Sequence, residues 1–382
     1  MSLPRVTVIF SNGNLLQDIA AVDGICGLIG TVATPGLVGA CKTLYSLDDA
    51  IDQGFTEGAE PFMYRHIKEF YGELSGNQKL YIMGVSDATS MASVLDNTSA
   101  TGAKKLTTFA NGEIRVLGVV RKPAVGYDPG ANFFDSDVSA AVTAAKVFGN
   151  ARLAELRPLR ILIEGRVTTE GSANIYAPNT ADVDFGGVVT GSSLPDGSAS
   201  VGVALGRASK YAAHIKLGKV ANGPLSIDKA YIGTKELKDY PGLEALHDKG
   251  VISFMNHTGK AGVYFGIDRM ANTKDYRYLA HGRIIDKAAL IAAAVYIDQI
   301  ESEVDVDDDG KISQLELEHL KGILEQAINV YMGNQISGVQ ITIDPNQNII
   351  NTGTLKTKIQ ILPKGYTTWI NIDLGLVAPV AE

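Results

Sequence analysis

The sequence predicts a mixed α/β (α+β) chain of several domains: α/β sheet units first, then a C-terminal core of two long helices packed on a terminal β-sheet. Three observations carry this. Apolar runs of strand length alternate with amphipathic stretches of helical spacing up to about residue 165. Two long periodic segments then flank a twelve-residue acidic loop, Asp305 to Glu316. Three alternating apolar and polar segments follow between Val339 and Leu374.

Taken in order, Arg5 to Phe10 (RVTVIF) and the glycine-rich Ile25 to Val32 read as strands. Glu60 to Leu74 places Phe62, Met63, Ile67, Phe70, Tyr71 and Leu74 at roughly helical spacing, so one face packs on a core. Lys79 to Val85 is a buried strand, Ala100 to Phe109 a helix, Glu113 to Arg121 a strand, Asp135 to Leu156 a helix and Leu159 to Glu164 a strand. Strand and helix in this alternation imply a largely parallel sheet covered on both faces. From Thr168 to Gly197 the chain turns to Gly, Ser, Asn and Asp, a long loop or a set of short strands rather than a core. Ser200 to Val220 reads as an Ala-rich helix, and 226–249 is expected to cross the surface. Val251 to Met255 and Val263 to Phe265 read as paired strands. A long helix is expected from near Asp286 to Ile300 and another from Leu315 to Tyr331, with strands Val339 to Ile343, Leu355 to Leu362 and Thr367 to Leu374 behind them. The implied units are an N-terminal arm (1–20), an α/β domain (21–165), a surface region rich in Gly and Ser (166–250) and a C-terminal core (251–382).

With 382 residues and 45% hydrophobic content, the chain is long and apolar enough for two or three packed domains. No run of eighteen or more apolar residues occurs, and the start lacks the basic and apolar regions of a signal peptide, so cytoplasmic synthesis is the expectation. Cys26 and Cys41 belong to no CxxC or Cys/His cluster, which leaves two buried free thiols as the reading. A net charge of −8 argues against nonspecific nucleic-acid binding, which needs a basic surface to displace counterions.

Catalytic patterns are missing: there is no GxGxxG after a strand, no GxxxxGK[ST], no HExxH and no GxSxG. His214, His247, His257 and His281 fall in four separate segments. Ser192 and Ser193 have no histidine nearby in sequence to activate them. The chain therefore reads as a non-enzyme.

The acidic loop is the chemically specific motif. Calcium takes six to eight hard oxygens, and the loop offers the Asp305, Asp307 and Asp309 side chains, the Lys311 carbonyl, a hydroxyl or water at Ser313 and a bidentate Glu316, with Gly310 at the sharp turn. The same residues also make an ordinary turn between helices, in which Ser313 caps the second helix and Glu316 completes a capping box. The two readings are compatible. A second such loop is absent from the sequence, although sensor EF-hands work in pairs. The alternating segments behind the loop suit either an intramolecular sheet or pairing with the sheet edge of another molecule.

Several segments together resemble the tail sheath proteins of contractile phage tails and related injection machines, in the branch found in prophages. They are Gly282-Arg283-Ile284-Ile285-Asp286-Lys287-Ala288, like the family's arginine-containing segment leading into its long core helix; Gln335 to Gly338; Ile343-Asp344-Pro345-Asn346-Gln347-Asn348; and the strand ending Leu362-Pro363-Lys364-Gly365. Ser11 to Leu15, Leu80 to Met83, Arg115 to Val119 and Asn256 to Tyr276 are similar too. The family's longer terminal arms are reduced here.

The resemblance implies a mechanical subunit assembled in the cytoplasm into a virion tail or injection particle. Its copies stack as hexameric rings around an inner tube and contract to drive the tube through an envelope. The implied partners are other copies, the inner tail tube protein, and baseplate and tail terminator proteins, with neither nucleic acid nor direct membrane insertion. It also implies that terminal strands link subunits, here Val6, Val8 and Phe10 at one end and Thr368, Trp369, Ile370, Ile372 and Leu374 at the other. Glu301, Glu303, Glu316 and Glu318 are the implied contacts to a basic tube surface. A calcium-dependent binding or sensor protein is the alternative.

Overall fold

The computed structural model describes residues 23–376; the expected strand Arg5 to Phe10, with Val6, Val8 and Phe10, lies outside them. A six-stranded sheet forms the centre. Its strands are β1 (Cys26–Thr31), β2 (Cys41–Leu44), β3 (Leu80–Val85), β4 (Val116–Val119), β5 (Arg160–Glu164) and β6 (Gly186–Val189), in the order β2-β3-β1-β4-β5-β6. All pairs are parallel except the edge strand β2, which runs antiparallel to β3. Strands β1, β3, β4, β5 and β6 are buried along their whole length, which explains why they read as continuous apolar runs without alternation.

Helices cover both faces. They are α1 (Leu47–Asp52), α2 (Pro61–Glu73), α3 (Met91–Val94), α4 (Ala103–Phe109), α5 (Ser136–Ala154) and α6 (Val201–Lys210). Pro61 opens α2, where its missing N–H costs nothing, and the Met63, Ile67 and Phe70 face is fully buried. α6 crosses α2 through Gly202 and Gly206, one turn apart. A Cβ on Gly206 would sit 2.7 Å from the Phe70 carbonyl oxygen, and one on Gly202 would fall on that of His66. Two backbones in contact admit no side chain between them.

Small hairpins follow: β7 (Tyr231–Ile232) with β8 (Lys235–Glu236), then, after α7 (Leu243–Asp248), β9 (Phe254–Met255) with β10 (Tyr264–Phe265). The C-terminal module comprises α8 (Leu279–Tyr296), α9 (Gln314–Met332), β11 (Ile336–Ile343), the single turn α10 (Ile349–Thr352) and β12 (Thr357–Pro363). β11 and β12 pair antiparallel as a two-stranded sheet. Ile284, Ala288 and Ile291 of α8 meet Leu324, Ile328 and Met332 of α9 over Ile336 and Ile341 of the sheet, a separate core from that of the α/β domain. Among the described residues no helix is long and apolar enough to cross a membrane.

Four expectations are corrected here. The 166–250 region is not all surface: β6 completes the central sheet, and eight residues of α6 are buried against it. β6 escaped the sequence reading because it is four residues long, half glycine, and sits among turn formers. The helix expected over Ser200 to Val220 stops at Lys210, because the Arg283 guanidinium caps its C-terminal end on the Ala208 and Tyr211 carbonyls at 2.8 and 3.1 Å. The helix expected from Asp286 starts at Leu279, seven residues earlier. Finally, the alternating Thr367 to Leu374 forms no strand within the chain: it pairs with nothing among the described residues.

Candidate assembly interface

Doubly wound sheets bind ligands where the strand order reverses, outside the carboxyl ends of the strands. Apart from β2, that point lies here between β1 and β4, and the chain's own carboxylates occupy the amides nearby. Buried Glu60 accepts the Ala33 and Thr34 N–H groups at 2.8 and 2.6 Å, and buried Glu164 accepts those of Arg121 and Ala199 at 2.6 and 3.1 Å. Folding does bring a histidine toward the serines that lacked one in sequence, but not as a catalytic relay. Ser193 and Ser200 donate to Glu69 at 2.6 and 2.7 Å, while His66 lies 3.6 Å from Glu69 and turns its Nε2 to Arg65. Burial and the Arg65 charge hold the His66 pKa below its usual value. Arg65, in turn, donates to Ser192 and Ser198. This network joins α2 to the loop ahead of α6 and to its first residues, with the Ser192, Ser193, Ser198 and Ser200 hydroxyls as its hydrogen-bond partners.

The acidic loop is closed by its own hydrogen bonds. The Asp307 N–H donates to the Lys311 carbonyl at 2.7 Å, the oxygen that a calcium site would need. Asp307 Oδ1 accepts the Asp309 and Lys311 N–H groups, and the Lys311 ammonium approaches Asp309 Oδ2 at 3.3 Å. Ser313 Oγ accepts the Glu316 N–H at 3.3 Å as the cap of α9. Among the described residues no three His, Cys, Asp or Glu side chains converge to hold a metal. In this arrangement Asp307, Asp309, Lys311, Ser313 and Glu316 are joined by the hydrogen bonds of a capped turn, the second of the two readings that the sequence allows. Melting curves taken in calcium and in a chelator are expected to coincide for the wild type and for Glu316→Gln; a calcium-dependent rise that Glu316→Gln removes would reverse this assignment.

Around the loop, Glu301, Glu303 and Glu318 are exposed and Glu316 is half-buried. Glu318 is tied into its own helix by Gln314 and Lys321. Ile297, Ile300, Leu315 and Ile350 are exposed as well, giving this end of the module a mixed acidic and apolar surface.

The module is joined to the sheet by charge, through one face of α8. Arg160, at the start of β5, forms a two-pronged pair with Asp286, Nε to Oδ2 at 2.7 Å and a terminal nitrogen to Oδ1 at 2.5 Å, and also donates to the Asp184 and Gly282 carbonyls. Gly282 is required there, since a Cβ would lie 2.6 Å from Arg160 Nε. Lys287 pairs with Asp23 at 2.9 Å, and Arg283 adds a bond to the Asp23 carbonyl. Arg283, Asp286 and Lys287 follow the i, i+3, i+4 spacing of one helix face, while Ile284, Ala288 and Ile291 take the other. Sequence reading singled out this segment but not its partners Arg160 and Asp23. A signal was available: three charges inside an otherwise apolar helix need partners.

Beyond Tyr366 the chain leaves this body. Trp369, Ile370, Ile372, Leu374 and Leu376 are 70% to 105% exposed, an apolar stretch that no described residue covers. Both strands of the β11/β12 sheet have an outer edge unpaired among the described residues. One face of this sheet packs on α8 and α9, and Leu362 on β12 is 62% exposed.

Family models match the chain over nearly its whole length: the N-terminal domain of DUF2586 over residues 3–269 and the C-terminal domain of DUF2586 over residues 275–381. The chain belongs to the DUF2586 family. No curated protein matches this DUF2586 sequence. Among solved structures, the helical sheath of the anti-feeding prophage in its contracted state is similar, with a TM-score of 0.64 at 14% identity over 98% of this chain and 99% of that one. A chain of the six-fold symmetrised anti-feeding prophage baseplate gives 0.63 at 13%, over 99% and 100%. The sheath tail protein Lin1278 of Listeria innocua gives 0.51 at 11%, over 90% and 98%. The DUF2586 chain therefore has the fold of contractile tail sheath proteins, which are structural proteins rather than enzymes.

Proposed function

We propose that this chain is the sheath subunit of a contractile tail or injection machine, stacking as six-fold rings around an inner tube and contracting along it. The observation that carries the reading is the exposed apolar segment 369–376 that follows a two-stranded sheet whose outer edges are unpaired among the described residues. A two-stranded sheet is marginal by itself, and an alternating segment with no strand partner among the described residues is complementary to such an edge in another copy. Thr368, Trp369, Ile370, Ile372 and Leu374 are the inter-subunit strand in this reading. Full-length likeness to a helical sheath and to a six-fold baseplate component supports it. Baseplate and terminator proteins would cap the two ends of the stack.

Glu301, Glu303, Glu316 and Glu318 face a basic tube surface in this reading, where charge complementarity sets register and encounter rate. Electron microscopy of the purified subunit, alone and with its tube protein, tests the whole proposal: striated tubes or rings of six-fold character are the expected result. Dispersed particles under both conditions would reject it. Glu301→Lys with Glu303→Lys and Glu318→Lys is expected to leave sheath-only tubes intact while abolishing co-assembly with the tube. Unchanged co-assembly would remove these residues from the interface.

A further inference from the structure

The segment 367–376 departs from the body at one residue, and the structure around that residue is unusual. Tyr366 is anchored to the folded body: its hydroxyl donates to the His214 carbonyl at 2.7 Å, and its ring lies 5.8 Å from that of His281. The Lys216 ammonium sits 4.6 Å from the Tyr366 ring centroid and 3.5 Å from that of Tyr278, so one cation is held between two aromatic faces. Beneath it lies Asp268, 1% exposed, with Oδ1 at 4.0 Å from the Lys216 ammonium and the amides of Asp268 and Ala280 close to its carboxylate. Lys216 belongs to the stretch after α6, Asp268 to the stretch after β10, Tyr278 caps α8 and Tyr366 follows β12. Four distant parts of the chain meet there.

We propose that Lys216, Tyr278 and Tyr366 form a clasp that fixes where the C-terminal segment leaves the subunit, and that releasing Tyr366 lets the segment change direction while its far end stays bound to a neighbour. This rests on the reading of 368–374 as an inter-subunit strand. A cation between two rings is a contact of modest strength, about 0.5–2 kcal/mol per ring. That is strong enough to set a direction and weak enough to open when subunits rotate against one another. Tyr366 and Lys216 are positioning residues in this scheme, since neither belongs to the pairing strand.

Asp268 makes the clasp sensitive to pH. Burial raises its pKa from 3.8 to about 6, against the opposing effects of Lys216, Arg283 and the amides of Asp268 and Ala280. Around Lys216 lie Arg269 and Arg277; His281 faces Lys216, Arg277 and Asp275, and the His214 ring feels Lys364, Lys219, Arg283 and Asp23. Opening the clasp lets water reach Asp268 and lowers its pKa, so the proton favours the closed form. The contribution to closure is full below about pH 4 and is lost as pH rises through about 6.

Trp369 is the sole tryptophan of the chain and stands three residues beyond Tyr366, so its fluorescence anisotropy reads the clasp directly in the intact subunit, at dilutions where it is monomeric. The expected result is a fall in anisotropy as pH rises through about 6. Asp268→Asn should flatten this profile, and His281→Asn should leave it in place. Tyr366→Leu and Lys216→Met should lower the anisotropy at every pH, with unchanged circular dichroism and melting as the control for folding. Anisotropy and pH profile unaltered by Tyr366→Leu would overturn the proposal. The two readings fail separately: normal assembly by a subunit with aspartate at 370 and 372 rejects the strand but not the clasp, whereas unchanged anisotropy in Tyr366→Leu rejects the clasp but not the strand.

Discussion

Replacing Ile370 and Ile372 together by aspartate is expected to give a folded subunit that forms neither rings nor tubes. The two positions, with Leu374, are on one face of the alternating segment and are 74%, 74% and 89% exposed in the single chain, so nothing in the subunit's own core depends on them. Docked as a strand, each would bury roughly 1.5–3 kcal/mol of apolar side chain. Aspartate removes that gain and adds the cost of taking a charge out of water, a further several kcal/mol unless it is paired. Every tenfold in affinity corresponds to about 1.4 kcal/mol, so two such changes lower the affinity of each link by several orders of magnitude. Sedimentation should show a monomer, circular dichroism and melting should match the wild type, and micrographs should lack tubes under conditions where the wild type assembles. Deleting everything after Lys364 should have the same effect on assembly, with Tyr366 lost as well. Tubes formed by the double variant would refute the strand assignment outright.

Asp286→Ala is the most damaging single substitution expected in the fold. It leaves Arg160, 3% exposed, with its charge uncompensated between the sheet and α8, where the Asp184 and Gly282 carbonyls remain as partners and the Phe185 ring lies 4.9 Å away. Breaking one side of a buried pair costs about 3–5 kcal/mol, because the remaining charge stays desolvated. Removing both sides is milder: Arg160→Met with Asp286→Ala should recover part of the loss, and a double-mutant cycle measures how much. Denaturant unfolding provides the values. A loss below about 1 kcal/mol for Asp286→Ala, in the range of an exposed pair, would mean that water reaches this junction.

Much of the fold was legible because burial leaves a plain imprint on sequence. β1, β3, β4 and β5 are apolar runs, α2 and α9 carry their period, and β11 and β12 alternate. The errors share one physical origin, namely partners far away in the chain. β6 is too short and glycine-rich to announce itself, and it becomes a core strand because β5 is there to pair with it. α6 stops at Lys210 because Arg283, more than seventy residues later, takes its terminal carbonyls.

By itself, the sequence determined the long apolar strands β1, β3, β4 and β5 and most of the helices, the absence of catalytic motifs, and the sheath-like segments on which the resemblance rests. These are local properties, since period, length and residue type act within a few residues. Tertiary structure alone decided that Thr367 to Leu374 pairs with none of the described residues, that Arg160 and Asp23 meet α8, and that Lys216 stands between Tyr278 and Tyr366. Each of these depends on free energy shared between groups more than twenty residues apart, which no window of sequence contains.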